Sequence, residues 1–465
     1  MSDRFLSSRV APWLAGALLA AAAIGCSPSA GGDGGDGGGD GGGDGPGTDA
    51  CPCPQPDGGG GGDGGGGGDS GSNGCNGTST SAAQPFGNHA RPYASGTILP
   101  NHVSQAQLDD AVRDFYDDWK ASYLRQGCGS GRYYVATGHE NSQTVSEAHG
   151  YGMLIAVYMA GHEPQARQIF DGMFRYFTDH PSEITPPLMA WSQNRNCQNN
   201  EGANSAADGD LDIAYALLLA DKQWSSGGAI NYRAEAERLI DAIHAGEVDS
   251  GNRFVQLGDW TSEPPYSDAT RSSDFMPGHL ASFGAATGDA HWRQIADRSY
   301  QIMSTVQHGT TGLLPDFVQD ADGSPRPAAA GFLEGPYDGD YSYNACRDPW
   351  RIGVDFLTNG EARARTLVQR LNGWIKGATG GDPYRILPGY RLNGNSLGRD
   401  YLDMCFVAPF GVSAMVDAGN QTWLNRVWDA VVATGPSGYY GDTVKMLSMI
   451  AMSGNWWTPE AAPCP

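Results

Sequence analysis

The stretch Ala206–Trp224, AADGDLDIAYALLLADKQW, sets Asp208, Asp210 and Asp212 at the head of an apolar run. Ala207, Leu211, Ala214 and Leu218 recur at the spacing of one helix face, which predicts a helix with a buried side. Asp208 falls in its first turn. Free backbone N–H groups and the positive end of the helix dipole favour an ionised carboxylate there, so Asp208 is expected to be charged at neutral pH. An acidic helix start also suits the dipole with no further purpose, and by itself names no chemistry.

Helical periodicity recurs outward from this stretch, near 104–126, 147–160, 163–179, 208–222, 230–246, 272–287, 289–305, 345–358, 360–376, 402–418, 420–433 and 438–453. Gly or Pro separates several neighbours by a few residues, as at Gly161 to Pro164, Gly288, Gly360 and Gly419, which implies antiparallel hairpins. The first member of a pair is often apolar all round, as in Tyr151 to Ala160. The second is amphipathic and charged, as in Arg233 to His244. Six hairpins with an apolar inner and a polar outer helix are what an (α/α)6 barrel requires, so the expected fold is all-α. Longer connections rich in Gly and aromatics (Thr185 to Asn204, Gly246 to Thr270, Gly309 to Tyr343, Gly377 to Arg399) are expected to line one end as a cleft.

Ala206–Trp224 closely resembles the signature of glycoside hydrolase family 8, with Ala207 where the family prefers Ser or Thr. The resemblance extends to TVSEAHGYGMLIAV (Thr144 to Val157), LMAW (Leu188 to Trp191), SSDFMPGH (Ser272 to His279), YNACRDPWR (Tyr343 to Arg351), FVAPF (Phe406 to Phe410) and SGNWWTP (Ser453 to Pro459). It spans roughly residues 90 to 459. Each piece is modest, but the ordered set is specific, and it implies the same (α/α)6 barrel.

Cleaving a glycosidic bond requires an acid to protonate the leaving oxygen and a second carboxylate as base or nucleophile. The resemblance assigns the proton donor to Glu147, in S-E-A-H-G-Y-G-M. Thr144 and Glu147 also spell a capping box, in which the glutamate merely satisfies a backbone N–H. Gly150 and Gly152, unusual early in a helix, favour the catalytic reading by leaving room for a ligand. By resemblance Asp208 binds the sugar at the cleavage point and helps distort its ring, while Asp210 and Asp212 cap or support. Many members carry an aspartate base in a Y-D-A-x-R motif. This chain has Asn344 at that position, and an amide does not titrate usefully. A second group within the family also has Asn there and takes its base from a glutamate in the preceding loop. Glu334 fits, with Asp338 and Asp340 as competitors. Trp191, Tyr343 and Tyr401 match positions that line the cleft, and Arg347 is expected to hydrogen-bond substrate or hold a carboxylate ionised. Trp260, Trp456 and Trp457 are weaker candidates. No cofactor or metal ligand is expected, and the lack of a C-x-x-C pair argues against a zinc site of cysteine type.

The first eighty of the 465 residues are not built to fold. Residues 1–25 read as a lipoprotein signal: Arg4 and Arg9 precede an apolar run from Ala11 to Ile24, and Ala23-Ile24-Gly25-Cys26 resembles a lipobox with Cys26 as the lipidated N-terminus. An ordinary cleaved signal with a stray cysteine is the plain alternative. Residues 26–80 read as a disordered linker, because 25 of the 68 glycines lie between Gly31 and Gly77, interleaved with Asp. Such a coil reaches about 40 Å, enough to hold a domain at 81–465 clear of a membrane surface. Of the formal charge of −23, the first eighty residues hold −7 and the remainder −16, which argues against nucleic acid as a partner. Cys128, Cys197, Cys346, Cys405 and Cys464 fall in the domain, and their pairing is open.

These features together suggest an exported, inverting, endo-acting hydrolase of β-1,4 linkages in cellulose-type or mixed-linkage β-glucan. The expected protein is monomeric, touches the membrane only through Cys26, and sits at the outer membrane or cell surface unless released. A chitosanase of the same fold and a non-catalytic polysaccharide-binding lipoprotein are the alternatives.

Overall fold

The computed structural model describes residues 82–249, 251 and 253–460, so Cys26, the signal and the linker lie outside the described residues. Twelve α-helices run through them: α1 (Gln105–Tyr123), α2 (Ser146–Tyr158), α3 (Ala166–Asp179), α4 (Ala207–Trp224), α5 (Tyr232–Gly246), α6 (Pro277–Thr287), α7 (His291–Val306), α8 (Asp348–Asn359), α9 (Ala362–Ala378), α10 (Met404–Ala414), α11 (Gln421–Ala433) and α12 (Tyr439–Met452). The even-numbered helices form a closed inner ring, each packed on the next and α12 on α2. Five outer helices follow their inner partners in sequence. The sixth, α1, packs on α12, so one pair joins the first helix to the last. This is the (α/α)6 barrel.

Burial explains which helix goes inside. Every residue of α10 is buried, and every residue of α2 except Glu147. The outer helix α3 buries one side, with Ile169, Phe170, Met173, Phe174, Tyr176 and Phe177 as its large residues, and leaves Arg167, Gln168, Asp171, Arg175, Thr178 and Asp179 less covered. One charge inside the ring is firmly paired. Asp212 on α4 accepts from Arg351 on α8 at 2.7 Å and lies 3.0 Å from His279 Nε2 on α6.

Several boundaries differ from the periodicity. The helix predicted from 272 starts at Pro277, where the fixed φ and missing N–H of proline suit the first turn, and Ser272–Asp274 is a separate 3-10 turn. Short strands, invisible to helical periodicity, brace the loops. Thr144–Val145 pairs with Ser192–Gln193, and Thr270–Arg271, Phe317–Gln319 and Arg326–Pro327 form a three-stranded sheet. Cys128 and Cys197 form a disulfide, while Cys346 and Cys405 are buried free thiols. Among the described residues no helix is long and apolar enough to cross a membrane.

The glycines of α2 do not leave space for a ligand, as the sequence suggested; they leave space for protein. A Cβ on Gly150 would stand 2.7 Å from Asp212 Cβ, and one on Gly152 2.5 Å from both Met173 Cε and Val135 Cγ2. On the facing helix, a Cβ on Gly209 would lie 2.5 Å from Ser146 Cβ and 2.6 Å from its carbonyl carbon. Gly150 and Gly209 therefore let α2 and α4 cross almost backbone to backbone. Gly209→Ala should lower stability by about 1–3 kcal/mol through overpacking. Gly373→Ala, in α9 with no atom within 4 Å of the new methyl, should be neutral or stabilising. Thermal denaturation decides, and a wild-type melting temperature for Gly209→Ala would show that the crossing is not tight.

Candidate active site

Every outer-to-inner connection delivers the chain to the N-terminal end of an inner helix, and the chemically capable side chains collect there. Glu147 is on the first turn of α2, Asp208 on the first turn of α4, and Arg271, Ser273 and Asp274 lie just before α6. Asn344 and Arg347 immediately precede α8, Asp403 caps α10, and Tyr439 opens α12.

Arg347 is the hub, with no exposed surface. Its Nη1 donates to Glu147 Oε2 at 2.8 Å, Asp208 Oδ2 at 2.8 Å and the Tyr151 hydroxyl at 3.1 Å. Its Nη2 donates to Ser273 Oγ at 2.7 Å and Asn344 Oδ1 at 3.0 Å, and its Nε to the Asn344 carbonyl at 3.2 Å. Asn344 turns its amide nitrogen the other way and donates to Glu334 Oε2 at 2.8 Å. Glu147 and Glu334 are thus held at opposite ends of one Arg347–Asn344 bridge.

The capping box is not formed. The N-cap of α2 is Val145, Thr144 Oγ1 has no hydrogen-bond partner, and the second oxygen of Glu147 accepts from the Tyr439 hydroxyl at 3.1 Å. Burial pushes the Glu147 carboxyl up to about 7, against the pull of Arg347, with Asp208 adding to the rise. Asp208 goes the other way. Burial would raise it too, but Arg271, whose Nη1 donates to its Oδ2 at 3.1 Å, and Arg347 outweigh that and hold it below the ordinary range. The sequence expectation of a charged Asp208 agrees in direction, and the two arginines are a cause the helix start alone did not show.

Glu334 keeps 23% of its side chain exposed, and its Oε1 lies 3.8 Å from Arg271 Nη2. Burial raises its carboxyl, with Arg271 and the Asn344 amide opposing. Its two competitors are otherwise engaged. Asp338 accepts the backbone N–H groups of Leu333, Glu334 and Gly335, clamping the loop that carries Glu334. Asp340 is paired with Arg391. Asp316 plays a comparable part for Asn344, accepting from the N–H groups of Ser342 at 2.9 Å and Ala345 at 2.7 Å.

Among the aromatic candidates, Tyr401 is 45% exposed and its hydroxyl lies 2.7 Å from that of Tyr343, which also donates to Asp403 at 3.1 Å. Trp191 is partly exposed. Its carbonyl accepts from Ser146 N–H at 2.8 Å, beside Glu147, and its indole donates to the Glu201 carbonyl. Trp456 and Trp457 are buried in the core against Tyr158, and Trp260 packs edge-on to Tyr266. Asp210 accepts from Met189 N–H and Asp212 pairs with Arg351, so both support as expected.

Sequence reasoning missed Arg271, Ser273 and Tyr439 as site residues. Arg271 directly precedes the recognised SSDFMPGH, so an arginine at its edge was the available signal. Tyr439 carried none, because nothing in Gly438-Tyr439-Tyr440 shows that α12 closes on α2.

Residues 102–454 match the glycosyl hydrolases family 8. A beta-glucanase of Niallia circulans is 48% identical over 81% of this chain and 91% of its own length, and an endoglucanase of Bacillus sp. (strain KSM-330) is 39% identical over 82% and 85%. The apo structure of a beta-1,3-1,4-glucanase from Paenibacillus sp. X4 superposes with a TM-score of 0.79 at 48% identity, covering 81% of this chain and 99% of that one. With the barrel, the arginine-bridged carboxylates and this likeness in hand, the chain belongs to glycosyl hydrolase family 8 and is a glycoside hydrolase.

Proposed function

We propose that the protein is an endo-acting, inverting β-glucanase that cleaves β-1,4 linkages in cellulose-type or mixed-linkage β-glucan. The observation that carries this reading is the placement of Glu147 and Glu334 at the two ends of the Arg347–Asn344 bridge, one with its carboxyl pushed up to about 7 and the other accessible at its loop. The names of the beta-glucanase and endoglucanase relatives support the substrate class. Glu147 gives its proton to the glycosidic oxygen as the bond breaks. A water on the opposite face of the sugar, oriented by the Asn344 amide, attacks the anomeric carbon and loses its proton to Glu334. Asp208, kept ionised by Arg271 and Arg347, binds the sugar at the cleavage point and favours its distorted ring. Trp191, Tyr343 and Tyr401 supply aromatic faces to neighbouring sugars. A polysaccharide is the partner, the enzyme acts as a monomer, and residues 26–80 tether the domain to a lipid at Cys26. A panel of carboxymethyl cellulose, barley β-glucan, xylan and chitosan tests the substrate class, and cleavage of chitosan alone would make the enzyme a chitosanase instead.

Glu147→Gln should cut turnover on unactivated polysaccharide by about 10²- to 10⁴-fold with the fold intact. Since the acid works only while protonated, wild-type activity should fall as pH rises through about 7. The Tyr439 hydroxyl stabilises the Glu147 carboxylate, so Tyr439→Phe should raise the carboxyl and move that alkaline limb to higher pH. A limb that stays put, or shifts down, would dissociate it from Glu147.

Glu334→Ala should abolish turnover while oligosaccharide still binds, and wild-type product should emerge with inverted configuration by NMR. Inversion requires acid and base carboxyls roughly 6.5–9.5 Å apart. A dead Asp338→Ala or Asp340→Ala beside an active Glu334→Ala would move the base to that neighbour, and retained configuration would overturn the inverting scheme. Metabolic labelling with a fatty-acid analogue should mark the wild type and not Cys26→Ser, and an unlabelled wild type would remove the anchor.

A further inference from the structure

We propose that His244, Asp289 and His291 form a binding site for one divalent transition-metal ion of the zinc class on the outer face of the barrel. His244 lies in the last turn of α5, Asp289 in the turn between α6 and α7, and His291 is the first residue of α7. None of the three belongs to the Arg347 network. One ligand atom from each lies within 4.8 Å of the other two.

The spacing is close to what a metal needs. Tetrahedral zinc with bonds of about 2.0–2.2 Å to imidazole nitrogen and carboxylate oxygen separates its ligand atoms by about 3.3 Å. His291 Nδ1 already stands 3.0 Å from Asp289 Oδ1, and that same oxygen accepts the His291 backbone N–H at 2.9 Å, which fixes the carboxylate. The His244 and His291 rings are 5.8 Å apart between centroids, so small side-chain rotations bring the third ligand in. Those rotations have room, because the Asp289 and His291 side chains are 38% and 52% exposed. On the inner side, Trp292 is buried and sets its ring edge-on to His244 at 5.5 Å, a wall that limits where that imidazole can turn. Exposed histidine–aspartate pairs also occur at His102–Asp429 and His162–Asp117. The third ligand, contributed by a different helix, distinguishes the site proposed here.

Two imidazoles and one carboxylate suit zinc, nickel or copper, whereas calcium and magnesium prefer oxygen-only shells. Three protein ligands leave one position for water. Metal at His291 Nδ1 takes up that nitrogen's lone pair, so the neutral ring would carry its one proton on Nε2. It would tie α5 to α7, two outer helices that belong to successive hairpins.

The test uses the full chain without a polyhistidine tag, its accessible thiols blocked with iodoacetamide so that linker cysteines take no metal, stripped with EDTA and then freed of chelator. Titration with zinc chloride in a calorimeter should show one bound ion that is missing in both His244→Ala and His291→Ala, each with a wild-type circular dichroism spectrum. Saturating zinc should raise the melting temperature of the wild type by at least about 2 °C and leave both variants unmoved. Magnesium chloride should give no such binding. The proposal is overturned if zinc produces no heat with the wild type, if both variants keep its stoichiometry and thermal shift, or if magnesium binds equally well at the same residues.

Discussion

A guanidinium removed entirely from water has to find acceptors for every N–H it carries, and Arg347 finds them on four separate pieces of the barrel. Taking such an ion out of water costs several kcal/mol, and only a complete set of partners offsets that. The partners are Glu147 and Tyr151 from α2, Asp208 from α4, Ser273 ahead of α6, and Asn344 in its own segment. For the first two helices to reach one nitrogen together they must cross closely, and the missing side chains at Gly150 and Gly209 permit it. Packing and electrostatics here impose a single requirement: the glycine crossing that closes the wall also brings two carboxylates onto one cation.

That shared cation does not make the two carboxylates alike. Both stand at helix N-termini, Asp208 buried and Glu147 19% exposed, where the dipole favours the charged form. Arg271 donates directly to Asp208 and holds it below the ordinary range, while Glu147 has a share of Arg347, the Tyr439 hydroxyl and a weaker pull from Arg271, and burial wins. A direct hydrogen bond from Arg271 at 3.1 Å, which Glu147 lacks, helps drive the two carboxyls in opposite directions. Paired carboxyls driven apart in this way are a usual source of an acid and a charge stabiliser in one cleft.

Much of this was legible from residue order. The alternation of all-apolar and one-sided helices announced the inner and outer rings, because burial on all sides and burial on one stripe leave different patterns. Glu147, Asp208, Asn344 and Arg347 were found in short motifs whose residues act close to where they are written. What stayed hidden depended on contacts across the ring. Thr144 and Glu147 looked like a capping box because sequence shows the spacing, but not that Arg347 and Tyr439 claim the carboxylate first. Gly150 and Gly152 read as open space because their facing residues, Asp212 and Met173, lie on other helices. Among Glu334, Asp338 and Asp340, only the folded loop shows two of the three committed to backbone N–H groups or to Arg391.

The inner ring closes where α12 meets α2, and across that seam Tyr439 reaches Glu147. The tyrosine and the glutamate are 292 residues apart in the chain. On a ribosome, all five sequential hairpins are made before the last inner helix emerges, and until then α2 presents an apolar flank with no neighbour. Without α12 the ring has a gap between α10 and α2, and the Tyr439 hydrogen bond that acts on the Glu147 proton cannot form. Chemistry and ring closure are completed by the same late helix, so a chain stalled short of it would carry most of the site residues without the enclosure that tunes them.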